Sequence, residues 1–309
     1  MLHLPGRAAR VRLLPLLVAA AAAATALSFG PGGPPAGSAA DPFVAGQRST
    51  SRVSVGGGEA AALRQRAATN RLEIGAAAAV SVTVERVQDR FSGLTYDEVV
   101  DRDGRGQPVA LQRFDPAGRL TAAVRFGGHN PKRVTIGNGT AALAAAERHA
   151  RALDLAPAGA ARVRRGAADE WVVEWPRVVD GVPVPGDGVV VRTWVDGTLH
   201  VAVRHERPLA ERPQRLIAAG EARRLAMERL AGWLDARHAG EWRISGLALA
   251  WVAPNDAFAP DAPDAPASVL RLAWVASVTT DGELADTLHG VELYLDAGDG
   301  RLLGGDIAR

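Results

Sequence analysis

The sequence predicts an α+β fold in which an N-terminal antiparallel β meander precedes two units, each with a helix packed on an antiparallel sheet. Short apolar runs alternate with Asp-Gly and Pro-Ala-Gly turns, which is typical of antiparallel strands. Residues 140–155 and 216–236 carry apolar side chains at helical spacing. Strand patterns follow each of these helices, so the element order repeats with a period of roughly 75 to 80 residues.

The first residues have the pattern of an export signal. Arg7, Arg10 and Arg12 precede an apolar run at 13–27, and a small-residue cleavage site ends at Ala26. We interpret residues 1–26 as a signal peptide, because the apolar run of about 15 residues is shorter than the roughly 20 of a membrane span. An uncleaved anchor is the alternative. The protein is therefore expected to be secreted or held in the cell envelope.

The charge balance and the cysteine count exclude several classes of function. The chain has 36 basic and 34 acidic residues and no cysteine. Without the three arginines of the first 40 residues, the remainder is close to neutral, and no basic block with interleaved aromatic residues suggests nucleic-acid binding. The lack of cysteine excludes disulfides, thiolate nucleophiles, Cys-ligated zinc and a lipidated N-terminal cysteine.

The residues after the signal divide into a linker and a β-rich region. Residues 27–58 are rich in Gly, Pro, Ser and Ala and are predicted to be a flexible linker. Region 59–135 is predicted to be β-rich. It begins with a short helix at 59–70 that ends near Gly75, and its strands are expected at 78–87, 95–100, 108–114 and 120–126.

Residues 136–212 are predicted to form the first helix-and-sheet unit. Thr140 is expected to cap a helix that runs to about residue 155. Strands follow at 161–165 and 170–179, then a Gly-Val-Pro-Val-Pro-Gly turn at 181–186. The unit ends in a hairpin whose strands, 189–195 and 199–203, are joined at Asp196-Gly197. The predicted helical stripe contains Leu143, Ala146, Ala150 and Leu153.

Residues 213–309 are predicted to form the second unit. A helix at 216–236 presents an apolar stripe, and Arg224 and Glu228 lie at ion-pair spacing on its surface. Strands are expected at 244–252, 269–278 and 290–295, and the Pro-rich segment 256–268 is expected to be an exposed loop. The predicted stripe contains Ala218, Ala222, Ala226, Leu230, Trp233 and Leu234.

Several motifs in 140–305 match a known family in order and spacing. Gly181-Val182-Pro183-Val184 precedes an apolar strand that ends at Asp196-Gly197. Leu272-Ala273-Trp274 is followed by the turn sequence at 294–302. This part of the chain resembles the propeptides of secreted thermolysin-like and fungalysin-like metallopeptidases (the FTP type) and the PepSY domain within them. The chain departs from the family pattern at two places: Asp299 stands where Thr is usual, and Pro185-Gly186-Asp187 replaces Phe-Gly-Gly.

The resemblance implies a role for the protein and for its turn residues. Such propeptides assist the folding of the attached peptidase and inhibit it, so the partner implied here is an exported metallopeptidase. Asp296 and Gly300 are interpreted as turn-forming residues rather than ligands. The chain has no HExxH peptidase motif, because His205-Glu206 is followed by Arg207-Pro208-Leu209.

No residue is predicted to be catalytic, to bind a cofactor or to bind a metal. The histidines at 3, 129, 149, 200, 205, 238 and 289 include no pair at helical ligand spacing. The carboxylates Asp261 and Asp264 lie in the Pro-rich segment and are expected to be solvated. Five tryptophans fall in predicted strands, where core packing is the first expectation and an exposed partner surface is the alternative. They are Trp171, Trp175, Trp194, Trp251 and Trp274.

The function predicted from these observations is that of a non-catalytic, propeptide-like protein. It is expected to bind an exported metallopeptidase and either to inhibit it or to assist its folding. The alternative is a cell-envelope binding or scaffold module tethered by its N-terminal segment. An enzyme of an unrecognised type is a third possibility.

Overall fold

The computed structural model describes residues 50–89, 94–127, 135–166, 169–233, 238, 240–255, 269–286, 288 and 290–308. The chain divides into two compact units. Among the described residues, the nine-stranded unit contains those up to Arg177 together with Gly186–Glu206. The four-stranded unit contains Val178–Pro185 and the residues from Arg207 onward. The predicted signal peptide, most of the predicted linker and the Pro-rich segment 256–268 lie outside the described residues.

In its described residues, the nine-stranded unit consists of an antiparallel sheet and two helices. Its strand order is β1-β2-β3-β4-β5-β9-β8-β7-β6, so β1 and β6 are the edge strands. The elements are β1 (Thr50–Ser54), α1 (Gly57–Ile74), β2 (Ser81–Asp89), β3 (Thr95–Arg102), β4 (Pro108–Phe114), β5 (Leu120–Arg125), α2 (Gly139–Ala152), β6 (Arg162–Arg165), β7 (Glu170–Val179), β8 (Val182–Trp194) and β9 (Leu199–His205).

Both helices contribute to the main core of this unit. Buried residues of α1 such as Leu63 and Ile74, and Ala146 and Ala150 of α2, form one cluster with sheet residues such as Phe114. Burial of each large apolar side chain stabilises the fold by roughly 1.5–3 kcal/mol. α1 ends at Gly75, whose φ of 63° closes the helix in the left-handed conformation that glycine adopts most easily, as predicted.

The N-terminus of α2 differs from the prediction. The helix begins at Gly139, and the side chain of Asn138, not that of Thr140, accepts a hydrogen bond from the backbone N–H of Ala141 at 2.9 Å. The predicted cap, Thr140, is therefore wrong: it lies inside the helix, and Asn138 caps it because Asn is a stronger N-cap than Thr. The predicted stripe is buried at Ala146, Ala150 and Leu153 and partly buried at Leu143.

The described residues of the four-stranded unit form a long helix, a short helix and a second antiparallel sheet of order β10-β11-β12-β13. Ala226 and Leu230 of the long helix lie in one cluster with sheet residues such as Leu293. The ion pair between Arg224 and Glu228 is present. The elements are α3 (Ala219–Trp233), β10 (Trp242–Val252), β11 (Arg271–Thr280), α4 (Gly282–Ala285), β12 (Gly290–Asp296) and β13 (Leu302–Ala308). None of the described helices is long and apolar enough to cross a bilayer.

The segment predicted as a Gly-Val-Pro-Val-Pro-Gly turn is mostly strand. The reversal occurs one residue earlier, at Asp180 (φ 51°) and Gly181 (φ 77°), where two successive positive φ angles fit a tight hairpin turn. β8 then starts at Val182. Within the four-stranded unit, Val182 and Val184 are buried in one cluster with Trp251.

The predicted α+β class is confirmed, but the predicted regions do not correspond to separate sheets. β5, from region 59–135, pairs with β9, from region 136–212, through Ala122↔Val203, Ala123↔Ala202 and Val124↔Val201. The predicted linker also contains β1 at its C-terminal end, paired with β2. β13, for which no strand was predicted and of which only Leu302 falls in the predicted turn sequence, is the last strand of the second sheet.

Candidate functional site

The candidate site is the outer edge of β6, the last strand of the nine-stranded sheet. β6 pairs with β7 from Arg162↔Glu174 to Arg165↔Trp171. The chain then turns back, and the N–H of Gly166 donates to the carbonyl of Glu170 at 2.9 Å. A Cβ on Gly166 would lie 3.0 Å from Val172 Cγ2, so glycine fits where the turn approaches β7 closely.

The backbone groups of β6 alternate between the two sides of the strand. The N–H of Gly166 bonds to β7. The antiparallel pattern therefore directs the backbone N–H and C=O groups of Arg164 and Arg162 to β7 as well. The N–H and C=O groups of Val163 and Arg165 therefore point to the outer edge. None of the described residues supplies a backbone partner for these groups, and unpaired strand groups are a template for another strand.

We call the outer side of this strand the β6 edge (Arg162–Arg165), and three of its four residues are arginines. All three are exposed, whereas Val163 is half-buried. Arg164 Nη2 lies 2.8 Å from Glu174 Oε1. Arg165 lies over the indole ring of Trp171, with its Cζ 4.0 Å from the ring centroid. Arg162 makes no ion pair with any residue that the structure describes.

A polar cluster of buried and half-buried residues lies on the strands beside the β6 edge. Glu170, at the start of β7, is 6% exposed and bonds to Nδ1 of His200 on β9. The His200 ring stacks on Trp194 with centroids 4.4 Å apart. A carboxylate, an imidazole and an indole in contact fix the sheet end, and no hydroxyl or thiol nucleophile is among them.

His149 of α2 bonds to the same end of the sheet. Its Nε2 lies 2.9 Å from the carbonyl oxygen of Gly197 in the β8–β9 turn. Burial lowers the pKa of His149, and the nearby charge of Arg148 lowers it further, against the opposing effects of the Gly197 carbonyl and Glu73. The neutral ring then donates from Nε2 to the carbonyl.

The remaining histidines that the structure describes are placed apart. His205 Nδ1 lies 2.8 Å from Asp187, which Arg177 also contacts at 3.1 Å, and the Asp187 side chain is fully buried. His238 contacts Glu241. In the described part of the chain, no group of three or more His, Asp or Glu side chains is arranged to hold a metal ion. His3, His129, His289, Asp261 and Asp264 lie outside it.

The motif residues that carry the family resemblance form turns or pack in the core. Asp296 Oδ1 accepts the backbone N–H of Gly298 at 2.9 Å, and Gly300 has φ 73° with Leu225 Cδ1 only 2.5 Å from where a Cβ would lie. Trp171, Trp175 and Trp251 are buried, as core packing requires. His205 ends β9, so His205-Glu206 does not lie on a helix.

Sequence reasoning identified β6 as a strand but missed its edge as a candidate site. Three arginines in four residues without interleaved aromatic residues do not match the pattern of a nucleic-acid-binding block. The Arg-Val-Arg-Arg run is a visible signal, but its position at the sheet edge depends on the strand order.

Comparison with known proteins assigns no family. No family model matches the chain, and no curated protein matches it. Among solved structures, the chain is similar to the Bacillus megaterium YpeB C-terminal domain, with 11% identity and a TM-score of 0.39 over 83% of this chain and 99% of that chain. Because this TM-score lies below 0.5, the similarity assigns neither a family nor a function to this chain.

Proposed function

We propose that this protein is a non-catalytic binding protein that holds an exported metallopeptidase by adding an extended segment of it to the β6 edge. The observation that carries the proposal is the outward direction of the N–H and C=O groups of Val163 and Arg165 on an exposed terminal strand. The choice of a metallopeptidase is supported by the propeptide-like motifs of 140–305.

Strand addition suits a protein that acts through a surface. The main-chain hydrogen bonds supply affinity, and the side chains on both faces of the added strand supply specificity. A peptidase segment held in this way is restrained until it is released, which can inhibit the folded enzyme or guide its folding.

The experiment mixes the chain from residue 41 onward with metallopeptidases secreted by the same cells. We expect a complex at micromolar concentration and a change in peptidase activity or in its yield of refolding. Absence of a complex, with activity and refolding unchanged, would overturn the proposal.

Two variants of Arg165 connect this result to the β6 edge. Arg165→Pro removes the outward N–H, and proline is tolerated on an edge strand where the N–H faces solvent. Arg165→Ala keeps the N–H and removes only the side chain. The proline variant should lose the complex while the alanine variant keeps most of it, and equal binding by both would place the complex elsewhere.

A further inference from the structure

The side chains around the β6 edge define the chemistry of the segment that would bind there, an inference that rests on the proposed strand addition. Successive side chains of a strand point to opposite faces. Arg162 and Arg164 therefore share one face with Glu174. Val163 lies on the other face, where it packs on the core and lies 3.4 Å from where a Cβ of Gly139 would be.

The positive charge on the first face exceeds the nearby negative charge. Glu174 pairs with Arg164, and the Glu170 carboxylate is already bonded to His200. Arg162 is exposed and makes no ion pair with the described residues. A segment added beside β6 thus meets two arginines and one partly exposed carboxylate on this face.

The alternation of hydrogen bonds fixes which residues of the segment face these arginines. In an added antiparallel strand, the residues opposite Val163 and Arg165 form hydrogen-bonded pairs. The residues opposite Arg162 and Arg164 form the intervening pairs, in which side chains come closest. In the added segment, the residue opposite Val163 stands between these two, and its side chain lies beside the apolar side chain of Val163.

We propose that the β6 edge selects an extended segment with the pattern acidic–apolar–acidic. Carboxylates opposite Arg162 and Arg164 form cross-strand ion pairs, and the apolar residue between them extends the contact with Val163. The same arginines repel a second copy of β6, because an antiparallel β6–β6 pair would place arginines close together. The charges that protect this edge from self-association therefore also determine what binds it.

The experiment titrates the 15N-labelled chain from residue 41 onward with three synthetic peptides at up to millimolar concentration. Their central sequences are Thr-Glu-Val-Glu-Thr, Thr-Gln-Val-Gln-Thr and Thr-Lys-Val-Lys-Thr. We expect the Glu peptide to shift the amide resonances of Val163 and Arg165 and to bind about tenfold more tightly than the Gln peptide, since each exposed ion pair contributes a factor of roughly two to five. The Lys peptide should bind least, and added salt should reduce the difference.

Charge reversal at the edge tests the pairing directly. The double variant Arg162→Glu, Arg164→Glu should prefer the Lys peptide. The matched control Arg148→Glu, Arg151→Glu, which reverses two charges on α2, should keep the preference for the Glu peptide. Circular dichroism melting confirms that both variants are folded.

The outcomes separate this inference from the proposed function. Binding of the Glu peptide without any complex with a metallopeptidase upholds the pattern and removes the peptidase as partner. A peptidase complex that is unaffected by charge reversal overturns the acidic pattern. No resonance shift with any peptide, or equal shifts with all three, also overturns it.

Discussion

Asn255 binds the backbone of Gly305 with both ends of its side-chain amide. Its Nδ2 donates to the Gly305 carbonyl at 3.0 Å, and its Oδ1 accepts the Gly305 N–H at 3.0 Å. The N–H of Asn255 also donates to the Leu303 carbonyl at 2.9 Å. Gly305 lies in the middle of β13, an edge strand, so one side chain occupies the position that a neighbouring strand would take.

Replacing Asn255 should therefore destabilise the four-stranded unit. Asn255→Leu removes both bonds and should cost about 1–3 kcal/mol, because the N–H and C=O groups of the buried Gly305 are left without these partners. Asn255→Asp keeps the acceptor for the Gly305 N–H but places a carboxylate oxygen against the Gly305 carbonyl oxygen, so it should also be destabilising. The measurement is urea denaturation with hydrogen exchange at Gly305. Equal stability of the wild type and the leucine variant would contradict the expectation.

Gly304 should tolerate no side chain. Its φ is 125°, and a Cβ would lie 2.2 Å from Asn255 Oδ1 and 2.5 Å from the Asn255 carbonyl oxygen. We expect Gly304→Ala to cost about 2–4 kcal/mol, from backbone strain together with the collision. Gly106→Ala is the matched control, since Gly106 has φ 77° but no atom near the Cβ position. This variant should lose only about 1 kcal/mol of the free energy of unfolding, measured by thermal unfolding.

Arg71 and Asp101 should be the ion pair on which the nine-stranded unit depends most. Arg71 Nε and Nη2 each lie 2.7 Å from a carboxylate oxygen of Asp101, which is 1% exposed. Arg71→Ala leaves a buried carboxylate unpaired, at an expected cost of about 3–5 kcal/mol. Arg224→Ala, which removes an exposed double pair on α3, should change thermal stability little. Similar melting temperatures for both variants would refute this ranking.

Acid should weaken the nine-stranded unit through His149. Because burial lowers the pKa of His149 below its ordinary 6.5, the unfolded chain binds a proton more readily than the folded one. The contribution of the neutral His149 ring to the free energy of unfolding is complete above about pH 6.5 and is lost progressively as the pH falls below this value. His149→Gln can still donate to the Gly197 carbonyl but does not titrate. Its melting temperature should fall less than that of the wild type between about pH 7.5 and about pH 5.

Local features of the fold could be predicted, and features that depend on distant pairing could not. The strands at 108–114 and 170–179 have the predicted bounds because alternation and turn residues lie within the strands or beside them. The α1 end at Gly75 is local for the same reason. The pairing of Ala123 with Ala202 joins residues far apart in sequence, and no local pattern specifies it.

The candidate site illustrates the same limit. The sequence predicts that residues 161–165 form a strand, but whether that strand lies at the edge or the centre of a sheet depends on which strands pair around it. The outward direction of the N–H and C=O groups of Val163 and Arg165 follows only from the hydrogen bond between the Gly166 N–H and the Glu170 carbonyl. The Asn138 cap was not predicted because Thr140, two residues later, is also a residue type that caps helices, although a weaker one than Asn.

The division of the β7–β8 hairpin between two units has a consequence for folding during synthesis. All residues of the nine-stranded unit have emerged once Glu206 has left the ribosome. Val182 and Val184 belong to the other unit and share a cluster with Trp251, which emerges later. Until then these two valines lack part of their cover, so the order in which the chain emerges creates a transient apolar surface that a chaperone can recognise.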